Sequence, residues 1–457
     1  MIMCRLSDNV VTAILTRGRI YEVGGAVRDS LLRRTVQPED RDYLVCGIPY
    51  PDLSQILRAH GKVDLVGRSF GVIKFTQYRN NNPYTFDITL PRREYSTGVG
   101  HRDFEVSYDP DIRIEEDLGR RDFTINAMAF SLSDRELIDP LGGRVDLENH
   151  RIRMVSSRSF PEDPLRMLRA IQFAARYEFT IESKTFKAIR EHAALIGTVS
   201  PERIAAELTK LLVLADRPSI GFRLMQESGL LPEILPELEE TVGVDQPGGY
   251  HKYDVFEHSI RAIDAAPKDL RVRLAALFHD ITKPRAKRVT GDGATFYGHE
   301  NSGAKVARAV MRRLRFSTDL TADVVMLVDR HMFTTAVTDK GMRRLIRRVG
   351  QDLIFDLLDL RRADVVAQGM GGTTEDVDEF EENIKAELQK KPPFGFQDLA
   401  LNGNDLMGLF ALKQSPLIGL ILSYLLEKVL DEPEHNTREK LIEFAQSYMA
   451  NRRQEED

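Results

Sequence analysis

The hydrophobic and polar positions of this chain follow one pattern before about residue 140 and another after it. The first part carries short β-branched and aromatic runs, separated by Gly and Pro turns: IYEV, DYLV, GVIKF and YTFDIT. Such runs predict strands, and the helical patterns between them predict an α/β or α+β domain. From about Arg151 onward, segments such as DPLRMLRAIQFAARYEF place apolar residues at i, i+3, i+4 and i+7, which predicts helices. The predicted fold class is therefore α+β, with a mixed first part and an all-helical remainder.

Turn-forming segments divide this pattern further. A chain of 457 residues is too long for one compact core, so more than one domain is expected. Clusters of Pro, Gly, Asp and Ser interrupt the helical patterns at DRPS (216–219), VDQPGG (244–249) and QGMGGTTED (368–376). We predict a head over residues 1–142, a helical neck over 143–235, a helical body over 236–375 and a helical tail over 376–457.

Composition narrows the class of protein. Hydrophobic residues make up 42% and charged residues 29%, as in globular proteins. The two cysteines, Cys4 and Cys46, are too few for a disulfide framework or a zinc site made of thiolates. The N-terminus has no apolar signal region, and the longest apolar run, LIGLILSYLL, is far shorter than the roughly 20 residues that span a bilayer. We expect a cytoplasmic protein with no membrane partner.

The net charge of −6 is unusual for a protein that binds nucleic acid, so the distribution of charge matters more than its sum. Two groups of arginines recur at helical spacing: Arg308, Arg312, Arg313 and Arg315, and Arg343, Arg344, Arg347 and Arg348. Each group is either a phosphate-binding stripe or a solvated helix face, and the sequence leaves both interpretations open.

The first candidate site begins with a turn between a strand and a helix. In IYEVGGAVRDSLLRR, Gly24 and Gly25 follow a predicted strand and precede a predicted helix. Glycines let backbone amides approach a phosphate, and a helix N-terminus favours its negative charge. A Gly-Gly turn alone is a weak signal, because many such turns are purely structural.

Carboxylates on nearby strands strengthen the signal. Asp40 and Asp42 precede the strand DYLV, and side chains at i and i+2 of a strand share a face. Asp87 in YTFDIT is a candidate third ligand on a later strand. Such acids suit two Mg²⁺ ions roughly 3.5–4 Å apart, which activate a 3′-hydroxyl and stabilise departing pyrophosphate.

Four motifs together resemble the bacterial class II tRNA nucleotidyltransferases, which are close relatives of bacterial poly(A) polymerases. These motifs are GGAVRD (24–29), DRD (40–42), RRDFTINA (120–127) and EDPLRMLR (162–169). The segments ERIAAELTKLL (202–212) and LALNGNDLM (399–407) extend the resemblance over nearly the whole chain. It implies a polymerase-β-like head, followed by neck, body and tail domains that grip tRNA, and addition of C and A from CTP and ATP.

The resemblance also implies roles for individual residues. Gly24, Gly25 and Arg28 would help to hold the triphosphate, and Arg120 would bind phosphate. Ribose recognition would fall to Arg121, Asp122 and Asn126.

Nucleotide choice is assigned by the resemblance to Asp163 and Arg166, with Arg169 orienting Asp163 or touching the triphosphate. At i and i+3 of a predicted helix, Asp163 and Arg166 would project together. Cytosine and adenine each present an amino donor beside a ring-nitrogen acceptor, which an acid beside an arginine complements. Guanine and uracil reverse this order, and each unpaired polar group would cost roughly 1–3 kcal/mol. An ordinary helix salt bridge is the alternative interpretation.

The segment LPRREYSTGVGHRDFEVSYD (90–109) resembles the flexible loop that helps the family to switch from C to A. Its presence argues modestly against an enzyme that adds only C, and an uninvolved surface loop is the alternative.

A second candidate site lies in the predicted body. His258, then the doublet His279-Asp280, then Asp364 resemble the HD phosphohydrolase superfamily in order, and His299 and His331 would complete a six-ligand, two-metal variant. The resemblance implies hydrolysis of cyclic nucleotides or terminal phosphates. The alternative is a helical scaffold that binds no metal.

The function that these observations favour is synthesis or repair of the CCA end of tRNA. Addition of only CC or only A remains open. A poly(A) polymerase is less favoured, because Ser69 stands where that pattern tends to be basic and no basic terminal extension is present. An HD phosphohydrolase with an inactive head, or an RNA-binding protein without activity, would leave Asp40 and Asp42 unexplained.

Overall fold

The computed structural model describes residues 6–37, 40–66, 71–96, 104–247, 249, 251–290 and 293–456. The chain forms two compact units, Met1–Glu239 and Glu240–Asp457. The division falls close to the predicted boundary between neck and body.

The N-terminal unit begins with strands and ends with helices. Its helices are α1 (Asp8–Leu15), α2 (Gly25–Leu31), α3 (Tyr50–Arg58), α4 (Ile114–Gly119), α5 (Gly143–Glu148), α6 (Ser159–Glu162), α7 (Leu165–Tyr177), α8 (Ser183–His192), α9 (Pro201–Leu214), α10 (Ser219–Ser228), α11 (Leu230–Ile234) and α12 (Pro236–Glu239). Its strands are β1 (Arg19–Val23), β2 (Asp42–Cys46), β3 (Lys62–Val66), β4 (Val72–Arg79), β5 (Asn82–Thr89), β6 (Arg92–Ser96), β7 (Phe104–Tyr108), β8 (Ala129–Ser131), β9 (Leu137–Ile138), β10 (Arg151–Ile152) and β11 (Thr180–Ile181).

The C-terminal unit is almost entirely helical. Its helices are α13 (Val255–Ala265), α14 (Leu270–Phe278), α15 (Lys283–Ala286), α16 (His299–Arg313), α17 (Thr318–Arg330), α18 (Asp339–Val349), α19 (Leu353–Ala367), α20 (Glu375–Gln389), α21 (Gly403–Phe410), α22 (Pro416–Asp431) and α23 (Arg438–Glu456). A short antiparallel pair, β12 (Arg288–Thr290) and β13 (Gly293–Thr295), interrupts them.

A seven-stranded sheet is the frame of the N-terminal unit, with the strand order β3-β4-β5-β2-β1-β8-β9. Strands β2 and β5 run parallel, and the other neighbours are antiparallel. Between β4 and β5, Asn80 and Asn81 both have positive φ. This is the conformation of a type I′ hairpin, which Asn tolerates and which matches the twist of the paired strands. The turn therefore sets the register of β4 against β5.

The two faces of this sheet differ in what they bury. On one face, Tyr43, Phe75 and Phe86 are fully buried in a cluster with residues of α1 and α3. The opposite face buries Leu44 and Leu118 in a smaller cluster. Side chains alternate between the two faces of a strand, so a polar residue two positions before Leu44 lies on the same face as Leu44.

Two buried helices organise the rest of the chain. Helix α7 buries ten of its thirteen residues and packs against α9 and α10. In the C-terminal unit, α14 is buried continuously from Val272 to Phe278 and packs against α13, α17 and α19. Both helices therefore lie in the interior of their unit, although each also carries arginines.

The α+β fold class is confirmed, and so is the change to helices after the head. The prediction that the remainder is all helical needs one correction, because β10 pairs with β11 and β12 pairs with β13. These pairs are only two or three residues long and too short to show a period of their own. Among the described residues, no helix is both long and apolar enough to cross a membrane.

Candidate active site and candidate metal centre

Three charged side chains form a row across neighbouring strands of the large sheet, and we call Asp42, Asp87 and Lys74 the carboxylate row. Asp42 of β2 is in register with Asp87 of β5, and Asp87 is in register with Lys74 of β4. The ammonium of Lys74 lies 2.9 Å from Oδ1 of Asp87. Residues in register point to the same face, so the row lies on the face opposite Tyr43 and Phe86. The structure thus brings together two of the three predicted acidic ligands.

The Gly-Gly turn lies at one end of this row. Gly24 has φ of +74°, and a Cβ placed on it would lie 3.1 Å from Nη1 of Arg121 and 3.9 Å from Oδ2 of Asp42. Any side chain at this position would need an unfavourable backbone conformation and would fill the space beside both groups. The turn therefore leaves room for a ligand next to Asp42.

The residue between the two predicted metal-binding aspartates is anchored by a buried ion pair. Arg41 is fully buried and forms an ion pair with Glu22 of β1, whereas Asp40 and Asp42 on either side of it are exposed. A buried arginine needs a charged partner, so this pair anchors the chain at the start of β2. Asp40 and Asp42 are left to face outward.

Electrostatics at Asp42 favour a bound cation. Desolvation and the nearby charge of Asp87 raise the pKa of Asp42 to about 6, and Asp40 contributes in the same direction. Arg121 and Lys74 oppose the shift. Acids that raise one another's pKa are most readily relieved by a divalent cation between them.

Asp117, which the sequence analysis did not single out, organises two predicted nucleotide-binding arginines. It is fully buried, and its carboxylate accepts from Arg120 at 2.6 Å and from Arg121 at 3.3 Å. The signal was present in EEDLGRRD, because i, i+3 and i+4 spacing on a helix end brings Asp117 to both arginines. The Nε of Arg121 is buried without an acceptor among the described residues, and Nη1 of the same guanidinium lies beside Gly24.

The predicted ribose-binding residues form a buried network. Arg169 donates to Oδ2 of Asp122 at 2.7 Å, and Asn126 donates to Oδ1 of Asp122 at 3.0 Å. The Oδ1 of Asn126 in turn accepts from Arg28 at 2.7 Å. Burial would raise the pKa of Asp122, but Arg169 and the hydrogen bond from Asn126 outweigh it, so the pKa lies below its usual value. Arg28 itself is buried and also pairs with Asp29, so protein groups enclose it.

The predicted base-reading pair is arranged differently from expectation. Asp163 is not on the same helix as Arg166, because it ends α6 in an extended conformation, whereas Arg166 lies in the first turn of α7. The carboxylate of Asp163 pairs with Arg203 of α9 at 3.0 Å, and Arg166 donates to the carbonyl of Arg120 at 2.9 Å. A proline after Asp163 restricts it to extended backbone, which is why the helix restarts there. The two residues stay adjacent through the hydrogen bond from the Arg166 amide to the Asp163 carbonyl, 3.0 Å.

Two sequence predictions fall partly or wholly on residues that the structure does not describe. Ser69, used against the poly(A) polymerase interpretation, lies outside the described residues. So do residues 97–103 of the predicted flexible loop, whose described ends form the antiparallel pair β6 and β7.

The second candidate site is a buried group of six side chains, which we call the histidine-aspartate cluster. Its members are His258, His279, Asp280, His299, His331 and Asp364, and all are at most 7% exposed. They come from α13, from the chain that follows α14, from α16, from the end of α17 and from α19. All six residues that the resemblance implied converge.

Asp280 links two halves of this cluster. One carboxylate oxygen, Oδ2, lies 3.1 Å from Nε2 of His279 and 3.5 Å from Nε2 of His258. The other oxygen, Oδ1, lies 3.3 Å from Nε2 of His299 and 3.9 Å from Nε2 of His331. Asp364 adds an oxygen 3.1 Å from Nε2 of His258. Two groups of three ligand atoms, with one aspartate shared between them, suit two adjacent metal ions.

Backbone hydrogen bonds orient three of these imidazoles. Nδ1 of His279, His299 and His331 lies 2.8, 2.7 and 2.7 Å from the carbonyl oxygen three residues earlier. A carbonyl can only accept, so each Nδ1 carries a proton, and Nε2 presents a lone pair wherever the imidazole is neutral. Nε2 of His299 lies 3.2 Å from Nε2 of His331, and two lone pairs at this distance need a cation or a proton between them. The donor set therefore fits a metal.

The charges in the cluster agree with this geometry. Burial lowers the pKa of His331 to about 3, helped by the charge of His279, so His331 is neutral at physiological pH. For Asp364, burial favours the neutral acid, but the hydrogen bond from His258 and the charge of His279 hold the pKa well below its usual range. Neutral imidazole and ionised carboxylate are the forms that bind metals.

Lys283 and Gln246 are further members of this environment that the sequence analysis missed. The buried ammonium of Lys283 lies 2.6 Å from Oδ2 of Asp280 and donates to Oε1 of Gln246 at 2.7 Å. Its position four residues after His279 was a possible signal, because that spacing returns a side chain to the same side of a helical turn.

Three family models match separate parts of the chain and define its class. Residues 20–153 match the poly A polymerase head domain, and residues 178–241 match the RNA and SrmB-binding site of polymerase A. Residues 296–445 match domain 2 of tRNA nucleotidyltransferases. These matches assign the chain to the nucleotidyltransferase class of enzymes.

Similar proteins narrow this class. The multifunctional CCA protein of Ralstonia nicotianae is 38% identical over 332 residues, which cover 68% of this chain and 72% of that protein. The A-adding tRNA nucleotidyltransferase of Deinococcus radiodurans is 33% identical over 422 residues, 89% of this chain and 90% of the relative. The chain belongs to the tRNA nucleotidyltransferase family.

Solved structures agree on the fold. The CCA-adding enzyme of Bacillus stearothermophilus, in complex with CTP, superimposes with a TM-score of 0.73 at 22% identity and covers 98% of this chain and 97% of its own. The CCA-adding enzyme of Thermotoga maritima, complexed with tRNA, gives a TM-score of 0.55 at 20% identity and covers 96% and 93% of the two chains. Nucleotidyltransferases of this kind use divalent metal ions.

Proposed function

We propose that this enzyme adds C and A nucleotides to the 3′ end of tRNA, in synthesis or repair of the CCA end. The observation that carries the proposal is the carboxylate row beside the Gly24 turn, with Asp163 and Arg166 within the same unit. The relatives named as CCA and A-adding enzymes support it.

Asp40, Asp42 and Asp87 would hold two Mg²⁺ ions, which activate the 3′-hydroxyl of the RNA and stabilise the departing pyrophosphate. Three carboxylates without a nitrogen or sulfur ligand form a donor set that suits Mg²⁺. The pKa of Asp42 is raised to about 6 by desolvation and by the charge of Asp87, although Arg121 and Lys74 lie nearby, and a bound cation would relieve this cost.

The triphosphate would lie against Gly24 and Gly25, which follow β1 at the Asp42 end of the carboxylate row. Nη1 of Arg121 lies on this side, and Arg120 is held next to Arg121 by Asp117. Arg28, enclosed by Asp29 and Asn126, would act on the nucleotide through Asn126. Asn126 and Asp122 are positioned to read the ribose, with Arg169 keeping Asp122 ionised.

Base selection would rest on Asp163 and Arg166 at the start of α7. The Oδ2 of Asp163 is oriented by Arg203, so the carboxylate is held in one direction before the nucleotide arrives. An amino group of C or A would donate to this carboxylate, and the guanidinium of Arg166 would donate to the adjacent ring nitrogen. G and U would meet like groups in both places, which is costly where water is excluded.

The test is a set of nucleotide additions with separate triphosphates. Transcripts ending at the discriminator base, at C or at CC are each incubated with CTP, ATP, UTP or GTP and Mg²⁺, and the products are sized. CCA synthesis predicts two C additions followed by one A. Extension only of the CC end would identify an A-adding enzyme, like the relative that covers 89% of this chain. Long A tracts would identify a poly(A) polymerase.

A second activity is favoured by the histidine-aspartate cluster. We propose that it binds two divalent transition metal ions through His258, His279, Asp364 and through His299, His331, with Asp280 shared. Imidazole-rich sites favour such metals over Mg²⁺. Metal held here would supply Lewis-acid chemistry for hydrolysis of 2′,3′-cyclic nucleotides or terminal phosphates. A cluster retained only as scaffold is the alternative, and metal analysis of the purified protein separates the two.

Finer aspects of the organisation follow from these roles. We propose a head, 1–142, and a neck, 143–235, within the N-terminal unit, followed by an HD-type body, 236–375, and a tRNA-binding tail, 376–457. The body and tail make up the C-terminal unit, apart from residues 236–239, which belong to the N-terminal unit. The support is that the large sheet ends before residue 142 and that a separate buried cluster forms within 399–445. A cytoplasmic location is supported by the low cysteine count.

A further inference from the structure

The two arginine groups that the sequence offers as candidate phosphate-binding stripes have different surroundings in the structure. In α18, Arg343 is buried and donates to Glu387 at 2.8 Å, and Arg344 pairs with Glu427 at 3.0 Å and with Asp431 at 2.8 Å. Arg347 pairs with Glu427 as well. Most of this group therefore joins helices within the C-terminal unit.

Helix α16 is the opposite case. Lys305, Arg308 and Arg312 are exposed, and none of them has an acidic or carbonyl partner within the described part of the chain. At 100° per residue these three side chains fall within a 60° arc, and they span about 10 Å along the axis. We call them the basic face of α16.

The composition around this face makes its charge unusual. Residues 299–316 contain five lysines and arginines and a single acid, Glu300, although the whole chain carries −6. Like charges one turn apart destabilise a helix, and elsewhere in this unit such charges have acidic partners on the same helix, as Lys385 has in Glu381 and Glu382 of α20. A basic face without such partners is best explained by an anion that binds there.

We propose that the basic face of α16 binds the phosphate backbone of tRNA. This inference rests on the proposed function, because it assumes that the macromolecule bound is the RNA whose end the N-terminal unit extends. Lysines and arginines at regular spacing contact phosphates and so fix orientation without reading sequence.

The other classes of anionic partner fit less well. A helix that lies on a membrane buries a large apolar face in it, whereas the apolar side of α16 is already used. Ala307, Val310 and Met311 are fully buried in the core, and no large hydrophobic side chain of α16 is exposed. A protein interface would need an apolar centre, which this helix lacks.

The experiment compares two triple variants in the full-length protein. The first is Lys305→Gln, Arg308→Gln, Arg312→Gln. The control is Arg17→Gln, Lys62→Gln, Arg144→Gln, which removes the same charge from exposed residues, each paired with a nearby acid. Binding of tRNA is measured by filter retention over a range of salt concentrations.

We expect the α16 variant to bind tRNA about ten-fold or more weakly near physiological salt. The slope of log affinity against log salt should become shallower by about two to three, because each lost phosphate contact contributes nearly one. The control should keep the wild-type slope. The KM for CTP and the rate at saturating tRNA should not change in either variant.

Equal salt slopes for the two variants would overturn the proposal. So would tRNA binding that is unchanged, together with sedimentation of the wild type, but not of the α16 variant, with vesicles of anionic phospholipid. If the wild type adds no nucleotide yet shows an α16-dependent slope, the proposed function fails and the RNA-binding surface stands. Thermal unfolding monitored by circular dichroism should show no loss of stability in the α16 variant, since the change relieves repulsion.

Discussion

The two acidic sites of this protein show two ways of preparing for divalent metal. In the carboxylate row the acids are partly exposed, all ligands are oxygens, and Asp42 has a raised pKa of about 6. In the histidine-aspartate cluster the ligands are buried, nitrogen predominates, and Asp280 has a pKa well below its usual value, because His279 and Lys283 outweigh its burial.

With both sites occupied as proposed, the two metals would differ in how long they stay bound. An open oxygen site lets metal arrive with the triphosphate and leave with pyrophosphate, so part of its coordination belongs to the substrate. A buried site with imidazoles fixed by backbone carbonyls is formed before metal arrives, and it should hold that metal through many turnovers. The following predictions separate the two sites experimentally.

The largest expected effect is at the carboxylate row. Asp40→Ala or Asp42→Ala should lower nucleotide addition by at least about a thousand-fold, the scale on which fixed charge stabilises a transition state. Affinity for tRNA should stay nearly intact, because phosphate contacts elsewhere provide most of it. Primer extension and filter binding measure the two. Asp64→Ala, an exposed acid of β3 paired with Lys62, is the control and should add nucleotides normally. Normal addition by the Asp40 or Asp42 variant would refute the two-metal assignment.

The reciprocal change tests the independence of the second site. His279→Ala together with Asp280→Ala should remove bound transition metal and metal-stimulated hydrolysis of 2′,3′-cyclic nucleotides. Addition from CTP and ATP should remain largely unchanged, because the two sites lie in different compact units. Elemental analysis and a phosphate-release assay provide the readouts, with His435→Ala, a partly exposed histidine, as control. A wild type with neither metal nor hydrolysis in magnesium, manganese, nickel or cobalt would favour the scaffold alternative.

A smaller effect is expected on selectivity. Asp163→Ala or Arg166→Ala should narrow the preference for CTP and ATP over UTP and GTP by roughly 5- to 150-fold, as one unpaired polar group costs about 1–3 kcal/mol. Arg203→Ala should shift selectivity in the same direction but less, because Arg203 acts by orienting Asp163. Single-nucleotide incorporation with each triphosphate measures the ratio. Slower addition with unchanged ratios would mean that the pair is structural.

The smallest effect is a pH dependence confined to the head site. Since the pKa of Asp42 is raised to about 6, the carboxylate is ionised above that pH and protonated below it. The apparent affinity for Mg²⁺ in nucleotide addition should therefore fall by up to about ten-fold per unit below pH 6 and level off above it. Titrations of Mg²⁺ at several pH values test this. A Mg²⁺ dependence that is flat from pH 5 to 7 would contradict the raised pKa.

Sequence alone predicted the residues that local periodicity governs. Strand alternation placed Asp42 on an outward face, where Asp87 of a later strand joins it in register, and the resemblance to the HD superfamily named the six members of the second cluster. It did not predict partners that come from distant elements. Arg203 pairs with Asp163 from 40 positions away, and Asn126 meets Arg28 across 98 positions. Such pairs depend on tertiary packing, which no local pattern records.

Two further differences have local causes. The proline at position 164 separates Asp163 from the helix that carries Arg166, although the polar spacing suggested one helix. The arginines of α18 read as a surface stripe, but the acids that neutralise them lie on α20 and α22, far along the chain. Charge spacing shows which side chains share a face and leaves open what covers it.

The register between β4, β5 and β2 has a consequence for how chain length can vary at this site. Because Lys74, Asp87 and Asp42 are in register on one face, inserting or deleting one residue within either hairpin strand would turn Lys74 or Asp87 toward the cluster that holds Phe75 and Phe86. The carboxylate row would then be lost completely, because its three side chains would no longer share one face of the sheet. Length changes should be tolerated only outside the paired strands, so a scan of single-residue insertions through residues 72–89 should show activity that drops abruptly.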